Sequence, residues 1–256
     1  MIVLPAELIQ ARLARLEAEH GVKVIHAVES GSRVWGFQSH DSDYDVRFIY
    51  VRPIAWYMSV RLRRDVIEPP LDGLLDFSGW DLRKALYLLS KSNPPLMEWL
   101  TSPIVYRTSP VAQQLCSLGR QYFNPRSAIY HYFHMADGNY RTYLQSESVR
   151  LKKYLYVLRP ILCCRHIERT HSMPPVVFDH MVAAEHGIPV TEISALLEAK
   201  KAGAEIEEGP RVEALNAFID SELARLSKLA RVSPSPKLTM DDLDEFFHYA
   251  VGGMRR

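Results

Sequence analysis

The 256-residue chain has little cysteine. Cys116, Cys163 and Cys164 are its only three, an odd number with two adjacent. That count excludes a disulfide framework and leads us to expect a reducing, cytoplasmic setting. No apolar run approaches the ~18 residues of a membrane-spanning helix. The opening Met1-Ile-Val-Leu-Pro-Ala-Glu7 lacks the basic start and long apolar stretch of a signal peptide. No membrane partner is expected. An excess of one charge is also missing: 31 Lys and Arg against 30 Asp and Glu leave +1, so any nucleic-acid signal must be local. There is no Gly-x-x-x-x-Gly-Lys-Ser/Thr loop and no Gly-x-Gly-x-x-Gly behind a strand, which weighs against P-loop ATPases and dinucleotide-dependent dehydrogenases. No Gly-x-Ser-x-Gly elbow is present, and no internal repeat or low-complexity segment.

What is present is a globular composition, 47% hydrophobic and 24% charged, in a chain long enough to bury a core unaided. Leu8, Ile9, Leu13 and Leu16 recur at helical spacing over 6–19. Residues 22–28 are short, β-branched and apolar apart from Lys23 and His26, which reads as a strand, and run into the turn composition Glu29-Ser-Gly-Ser32. Over 43–51, Tyr44, Val46, Phe48 and Tyr50 fall on one face of a strand; Asp43, Asp45, Arg47 and Ile49 fall on the other. Extended segments are expected at 60–67 and 74–78, separated by Glu68-Pro-Pro-Leu-Asp-Gly73, and a helix at 81–90. Beyond about residue 110 helical stretches dominate, at 110–123, 126–145, 148–169, 176–186, 191–202, 210–230 and 239–250. Pro174-Pro175 and Ser233-Pro-Ser-Pro236 read as connectors. The expected class is α+β, with a small mixed-sheet head over 1–110 and a helical domain over 111–256.

The chemistry gathers between Gly31 and Phe48. Asp43 and Asp45, two apart on a strand, share a face and repel each other. A divalent cation removes that conflict, and an oxygen-only site suits Mg²⁺, which takes substrate phosphates as further ligands. Gly31 permits close backbone approach where a strand meets a short helix, and Ser32 adds a hydroxyl; free N–H groups there favour an anion. Together these grip a metal-bound triphosphate for in-line transfer by two metal ions. That mechanism calls for a third carboxylate to accept the proton of an attacking hydroxyl. Asp76, in the apolar extended Leu74-Leu-Asp-Phe77, is chosen over Asp72, a turn residue beside Gly73, and over Asp81, at a helix start. Arg33 is read equally as a phosphate contact or as one half of a salt bridge.

This stretch resembles the signature of the DNA polymerase β-like nucleotidyltransferase superfamily: Gly31-Ser32, a spacer, then Asp43-x-Asp45 on a strand. More narrowly, several segments are similar to a family of predicted bacterial and phage nucleotidyltransferases, some associated with RNA ligase or RNA repair. They are Gly31-Ser-Arg-Val-Trp-Gly36, Ser42-Asp-Tyr-Asp-Val-Arg-Phe48, Gly79-Trp-Asp-Leu-Arg-Lys-Ala85, Lys91-Ser-Asn-Pro94, Glu98-Trp-Leu100, Ser102-Pro-Ile-Val-Tyr106 and Lys152-Lys-Tyr-Leu-Tyr156. The resemblance covers about residues 20–170. It implies transfer of NMP from NTP to an acceptor hydroxyl with release of pyrophosphate, two Mg²⁺ ions (Mn²⁺ in their place is conceivable), and a basic residue of the helical part, Lys152 or Lys153, on the triphosphate. RNA, a tRNA or a broken end, is the expected acceptor. The rivals are a protein or small-molecule hydroxyl, or a non-catalytic nucleotide-binding or antitoxin-type module.

Other features have plainer readings. Residues 120–169 hold nine Lys and Arg against three Asp and Glu, interleaved with tyrosines. That pattern suits a nucleic-acid backbone, a single triphosphate with its base, or simply a helical surface. Residues 188–222 hold eight acids against three bases, the composition of a solvated face. Trp35 and Phe37 read as core, Cys163 and Cys164 as buried inert thiols. His131 and His134 lack the further ligands of a zinc site.

Overall fold

The computed structural model describes residues 6–40, 42–201, 208–229 and 239–252. The chain divides into two compact units, one of residues 6–34, 42–122 and 239–252, the other of 35–40, 123–201 and 208–229. The boundary expected at 110/111 falls inside the first unit, whose last helix comes from the C-terminal end of the chain.

The first unit is a sheet covered by helices. Its strands are β1 (Lys23–Ser30), β2 (Tyr44–Val51), β3 (Val66–Ile67), β4 (Leu75–Asp81) and β5 (Val105–Arg107), in the order β3-β4-β2-β1-β5. β1 is antiparallel to β2 and β5, β3 is antiparallel to β4, and β2 runs parallel to β4. The alternation expected in β2 is realised. Tyr44, Val46, Phe48 and Tyr50 are buried with Ile67, Leu75 and Phe77, under Ile9, Leu13 and Leu16 of α1 (Ala6–His20). Asp45 and Arg47 look out from the other face, only partly covered.

Helices α4 (Leu82–Ser90) and α5 (Pro94–Thr101) also pack on the sheet, and local chemistry sets their starts. The Asp81 side chain accepts from the Arg83 N–H at 2.9 Å and caps α4; Asn93 caps α5 from the Leu96 N–H, with Pro94 at the first turn. Asp72 and Gly73 form the turn into β4, Gly73 with φ +62. α6 (Pro110–Gln121) and α12 (Met240–Gly252) belong to this unit. The strand expected over 60–67 is only Val66–Ile67. Before it stand a single helical turn, α3 (Ile54–Tyr57), and an irregular arginine-rich stretch that lacks a ladder partner.

The second unit is helical: α7 (Pro125–Tyr143), α8 (Lys152–Thr170), α9 (Phe178–Ala184), α10 (Val190–Lys201) and α11 (Glu213–Leu229). α8 is its axis, with Leu155, Leu158, Ile161, Leu162 and Ile167 fully buried around Pro160. Phe37 is also fully buried and meets Phe178 edge-on at 5.8 Å, so the core reading of this aromatic holds. Cys163 and Cys164 are buried free thiols; burial pushes the Cys164 thiol far up, so it stays protonated and inert. Two short strands, β6 (Ser148–Arg150) and β7 (Glu208–Pro210), pair where helix was expected from 148 and from 210. Glu222, counted above with a solvated face, is buried and takes Arg165 at 3.3 Å and Arg225 at 2.8 Å. Glu205, Glu207 and the Ser233–Pro236 connector lie outside the described residues. Among the described residues no helix is long and apolar enough to cross a membrane.

Gly79 of β4 lies opposite Phe48 of β2, where a Cβ would stand 2.1 Å from the ring. Gly79→Ala is therefore expected to destabilise the protein by about 2–3 kcal/mol through overpacking. In a Phe48→Leu background the same change is expected to lose less. Urea denaturation of the four proteins checks this coupling.

Candidate active site

Parallel pairing of β2 with β4 sets Asp45 directly opposite Asp76, while Ser30, at the end of β1, is opposite Asp45 on the other side. The next residue, Gly31, opens α2 (Gly31–Trp35) with φ +65. A Cβ at Gly31 would lie 2.0 Å from Asp45 Oδ2. Only glycine meets both demands here, the left-handed backbone and the carboxylate against it.

Two carboxylates side by side need positive charge, and here Arg47 supplies it. One Arg47 nitrogen donates to Asp45 Oδ1 at 2.5 Å and to Asp76 Oδ2 at 2.7 Å; the other donates to the Asp76 carbonyl at 3.1 Å. The Asp45 carboxyl is nevertheless pushed up. Burial is the main cause, Arg47 opposes it, and the neighbouring charges of Asp76 and Asp43 add to it. Asp43 precedes β2 and is exposed. Arg33 donates to its carbonyl at 3.0 Å and to that of Ser42 at 2.6 Å, while lying 3.6 Å over the Tyr44 ring. Arg33 thus clamps the loop that delivers Asp43, a role that neither half of the sequence reading anticipated.

Beneath the pair lies a residue that sequence reasoning passed over as turn composition. Glu29 is 1% exposed. One of its oxygens accepts from the Asp45 N–H at 2.9 Å, the other from the Tyr106 hydroxyl of β5, and its own carbonyl accepts from the Ser102 hydroxyl at 2.7 Å. Burial pushes the Glu29 carboxyl up to about 7 against the pull of those two donors. A glutamate in a turn normally signals solvent, so only the sheet pairing reveals it.

Lys152 and Lys153 open α8 of the second unit. Lys152 is exposed. Lys153 is half-buried, its ammonium 4.0 Å from the Tyr143 ring and 5.2 Å from that of Tyr156. The structure therefore brings Gly31, Ser32, Arg33, Asp43, Asp45 and Asp76 to one region of the first unit and sets the two lysines in the other.

Mg²⁺ binds through one or two carboxylates plus substrate phosphates and keeps waters, so it does not need a full protein cage. Asp45 and Asp76, adjacent, all-oxygen and beside the opening Gly31 leaves, fit that requirement. Among the described residues no three His, Cys, Asp or Glu side chains gather as a cage of their own, at His131 and His134 or elsewhere.

Glu29 also makes a pH prediction. Its folded carboxyl binds its proton more tightly than an unfolded one of ordinary value 4.5. Its contribution to stability is therefore complete below about pH 4.5 and is lost as pH rises through about 7. Urea midpoints of wild type and Glu29→Gln between pH 4.5 and 8 are expected to diverge, the glutamine protein losing less by an amount on the order of 3 kcal/mol.

A curated protein of Bacillus subtilis (strain 168), described as uncharacterized protein YcgL, is 47% identical over 232 residues, which is 89% of this chain and 89% of that one. A solved structure, a nucleotidyltransferase-like protein from Exiguobacterium sibiricum 255-15, aligns over 96% of this chain and 80% of its own at 11% identity. Its TM-score of 0.32 is too low to argue from. The model of the RNA repair pathway DNA polymerase beta family matches residues 6–249. The chain belongs to the RNA repair pathway DNA polymerase beta family, a group of polymerase-β-like nucleotidyltransferases.

Proposed function

We propose that this protein transfers an NMP from an NTP to a hydroxyl of an RNA acceptor and releases pyrophosphate, with Mg²⁺ as cofactor. The observation that carries the reading is the Asp45–Asp76 pair, aligned by parallel strands beside a glycine that makes room for one of the carboxylates. Asp45 and Asp76 would hold the metal, and Asp43, which does not gather with them as a third ligand in this structure, would join them once the ion is bound. When bound, Mg²⁺ supplies positive charge at the transferring phosphate and lowers the pKa of an attacking hydroxyl.

The remaining work falls to the chain. Asp76 is half exposed at its side chain, 40%, whereas Asp45 shows 25%. The more open carboxylate is the one placed to orient the acceptor hydroxyl and accept its proton. Glu29 holds the backbone of Asp45, and Arg33 holds the loop carrying Asp43, so both acids are positioned before substrate arrives. Gly31 and Ser32 receive the phosphates, with Arg33 beside them. Lys152 or Lys153 neutralises the departing pyrophosphate. Lys152 is exposed, whereas the Lys153 ammonium lies against two tyrosine rings. RNA is preferred as acceptor because of the family and because nine basic residues and interleaved tyrosines fall within residues 120–169.

The test is label transfer. Protein, Mg²⁺ and each α-³²P NTP are incubated with total cellular RNA and soluble protein, then resolved on denaturing gels. Label removed by RNase is expected. Asp45→Asn and Asp76→Asn are each expected to lower it about a thousandfold or more, ~4 kcal/mol of barrier, with circular dichroism unchanged. Label that resists RNase and yields to protease moves the acceptor to protein. NTP binding with neither label nor pyrophosphate release contradicts turnover.

A further inference from the structure

At the end of β2 remote from Asp45 lies a feature that the reaction does not use. Residues 52–64 carry four arginines, at 52, 61, 63 and 64, and no acid. Two of them converge with Arg83 of α4 on one indole: the guanidinium groups of Arg52, Arg63 and Arg83 lie 4.8, 5.8 and 5.8 Å from the centre of the Trp56 ring. Arg83 also lies 5.6 Å from the ring of Tyr57. The platform is fixed at its base. The Tyr57 hydroxyl donates to Asp81 at 2.9 Å and accepts from the Arg52 N–H at 3.0 Å, and its ring meets Phe247 of α12 edge-on at 4.9 Å.

The neighbouring acids are mostly engaged elsewhere, and only the buried Asp81 carboxyl feels Arg83 and Arg52. Asp81 is buried and accepts from Tyr57 and from the Arg83 N–H, Asp65 pairs with Lys84 at 3.3 Å, and Glu68 pairs with Arg64 at 2.7 Å. Among the described residues Arg52, Arg61, Arg63 and Arg83 form no ion pair. The Arg52 Nε is buried without a hydrogen-bond partner. Between the arginines, Met58 is 79% exposed, Leu62 102% and Val60 103%, the last two as open as in a free chain. Like charges stacked on one ring, with apolar side chains standing in water between them, match a polyanion that also carries flat apolar surface.

We propose that Arg52, Arg63 and Arg83 around Trp56, with the exposed Arg61 of the same segment, form an anchoring surface for single-stranded RNA. Arg52 spends one N–H on the His20 carbonyl at 3.0 Å and anchors the platform, whereas guanidinium groups stacked on an aromatic face, as Arg63 and Arg83 are, keep N–H edges for phosphates, and Met58, Val60 and Leu62 offer apolar contact to bases and sugars. An anionic membrane is the weaker match. Interfacial binding needs a continuous apolar face with aromatics at its tip, whereas here the segment is irregular and Trp56 is half-buried under its arginines. Arg52 follows Asp45 by seven residue steps, ~23 Å at strand rise. The surface therefore grips the body of an acceptor while its end reaches the acids. This inference rests on the reading that the acceptor is RNA.

The test measures binding apart from turnover. Fluorescence anisotropy follows a labelled 20-mer of oligo(U) with the full chain, without metal or NTP, across a salt series. The variants are Arg61→Ala/Arg63→Ala and Arg61→Glu/Arg63→Glu. Both side chains are exposed and unpaired, so circular dichroism and thermal midpoint are expected to match wild type. The alanine pair is expected to weaken binding about tenfold or more near 0.1 M salt. It is also expected to lower the slope of log affinity against log salt by about 1.4, the value for two phosphates no longer neutralised on a single strand. The glutamate pair is expected to abolish binding. Wild-type binding with unchanged affinity and slope in both variants overturns the surface and leaves the RNA reading intact. No wild-type binding overturns it as well, and label transfer to RNA then decides separately whether RNA is the acceptor. Arginine-dependent binding to phosphatidylserine vesicles in place of oligo(U) overturns it in favour of a membrane.

Discussion

The structure of the first unit turns on one electrostatic conflict and its present resolution: two aspartates on neighbouring parallel strands, with the guanidinium of Arg47 between them. Parallel register forces Asp45 and Asp76 abreast, and the alternation of β2 puts Arg47 on the same face two residues along. Remove the guanidinium and the partly buried pair is left with repulsion alone. A cation in its place is thus demanded by the fold, whether it comes from the chain or from solution.

The rest of the region follows from that demand. β1 ends beside Asp45, and the chain must then turn away without a side chain in the space the carboxylate fills, hence Gly31. Glu29, one step before Ser30, enters the sheet as a buried acid whose burial costs are offset by Tyr106 and by the Asp45 N–H. The opposite face of β2 is wholly apolar, so a one-residue slip would turn Asp45 and Arg47 into the core and Val46 out of it. Core packing therefore locks the register that keeps the acids abreast, and Gly79 beneath Phe48 is part of the same lock.

Much of this was legible in the sequence because it is local. The period-two pattern of 44–50 specifies both faces of β2, Asp81 and Asn93 announce helix starts, and Asp72-Gly73 announces a turn. Asp76 stood out as one acid in an apolar extended run. What escaped depends on partners distant in sequence. Glu29 reads as a surface turn until β5 and β2 close over it. Arg47 reads as a flanking charge until β4 brings Asp76 alongside. β6 and β7 are three residues each, one of them Glu-Gly-Pro, too short and too poor in strand formers for any periodicity. The 60–67 segment alternates well enough to read as a strand, yet most of it meets no ladder, and Arg63 turns to Trp56 instead.

The central claim, that the acid pair takes a divalent cation where Arg47 now sits, is tested most directly by Mn²⁺ binding followed by electron paramagnetic resonance. Wild type, Arg47→Met and Asp45→Asn/Asp76→Asn are titrated at pH 7.5 without nucleotide. The account predicts tighter binding in Arg47→Met than in wild type, since the competing guanidinium is gone, and loss of that site in the double asparagine protein. Equal binding by all three proteins would contradict it.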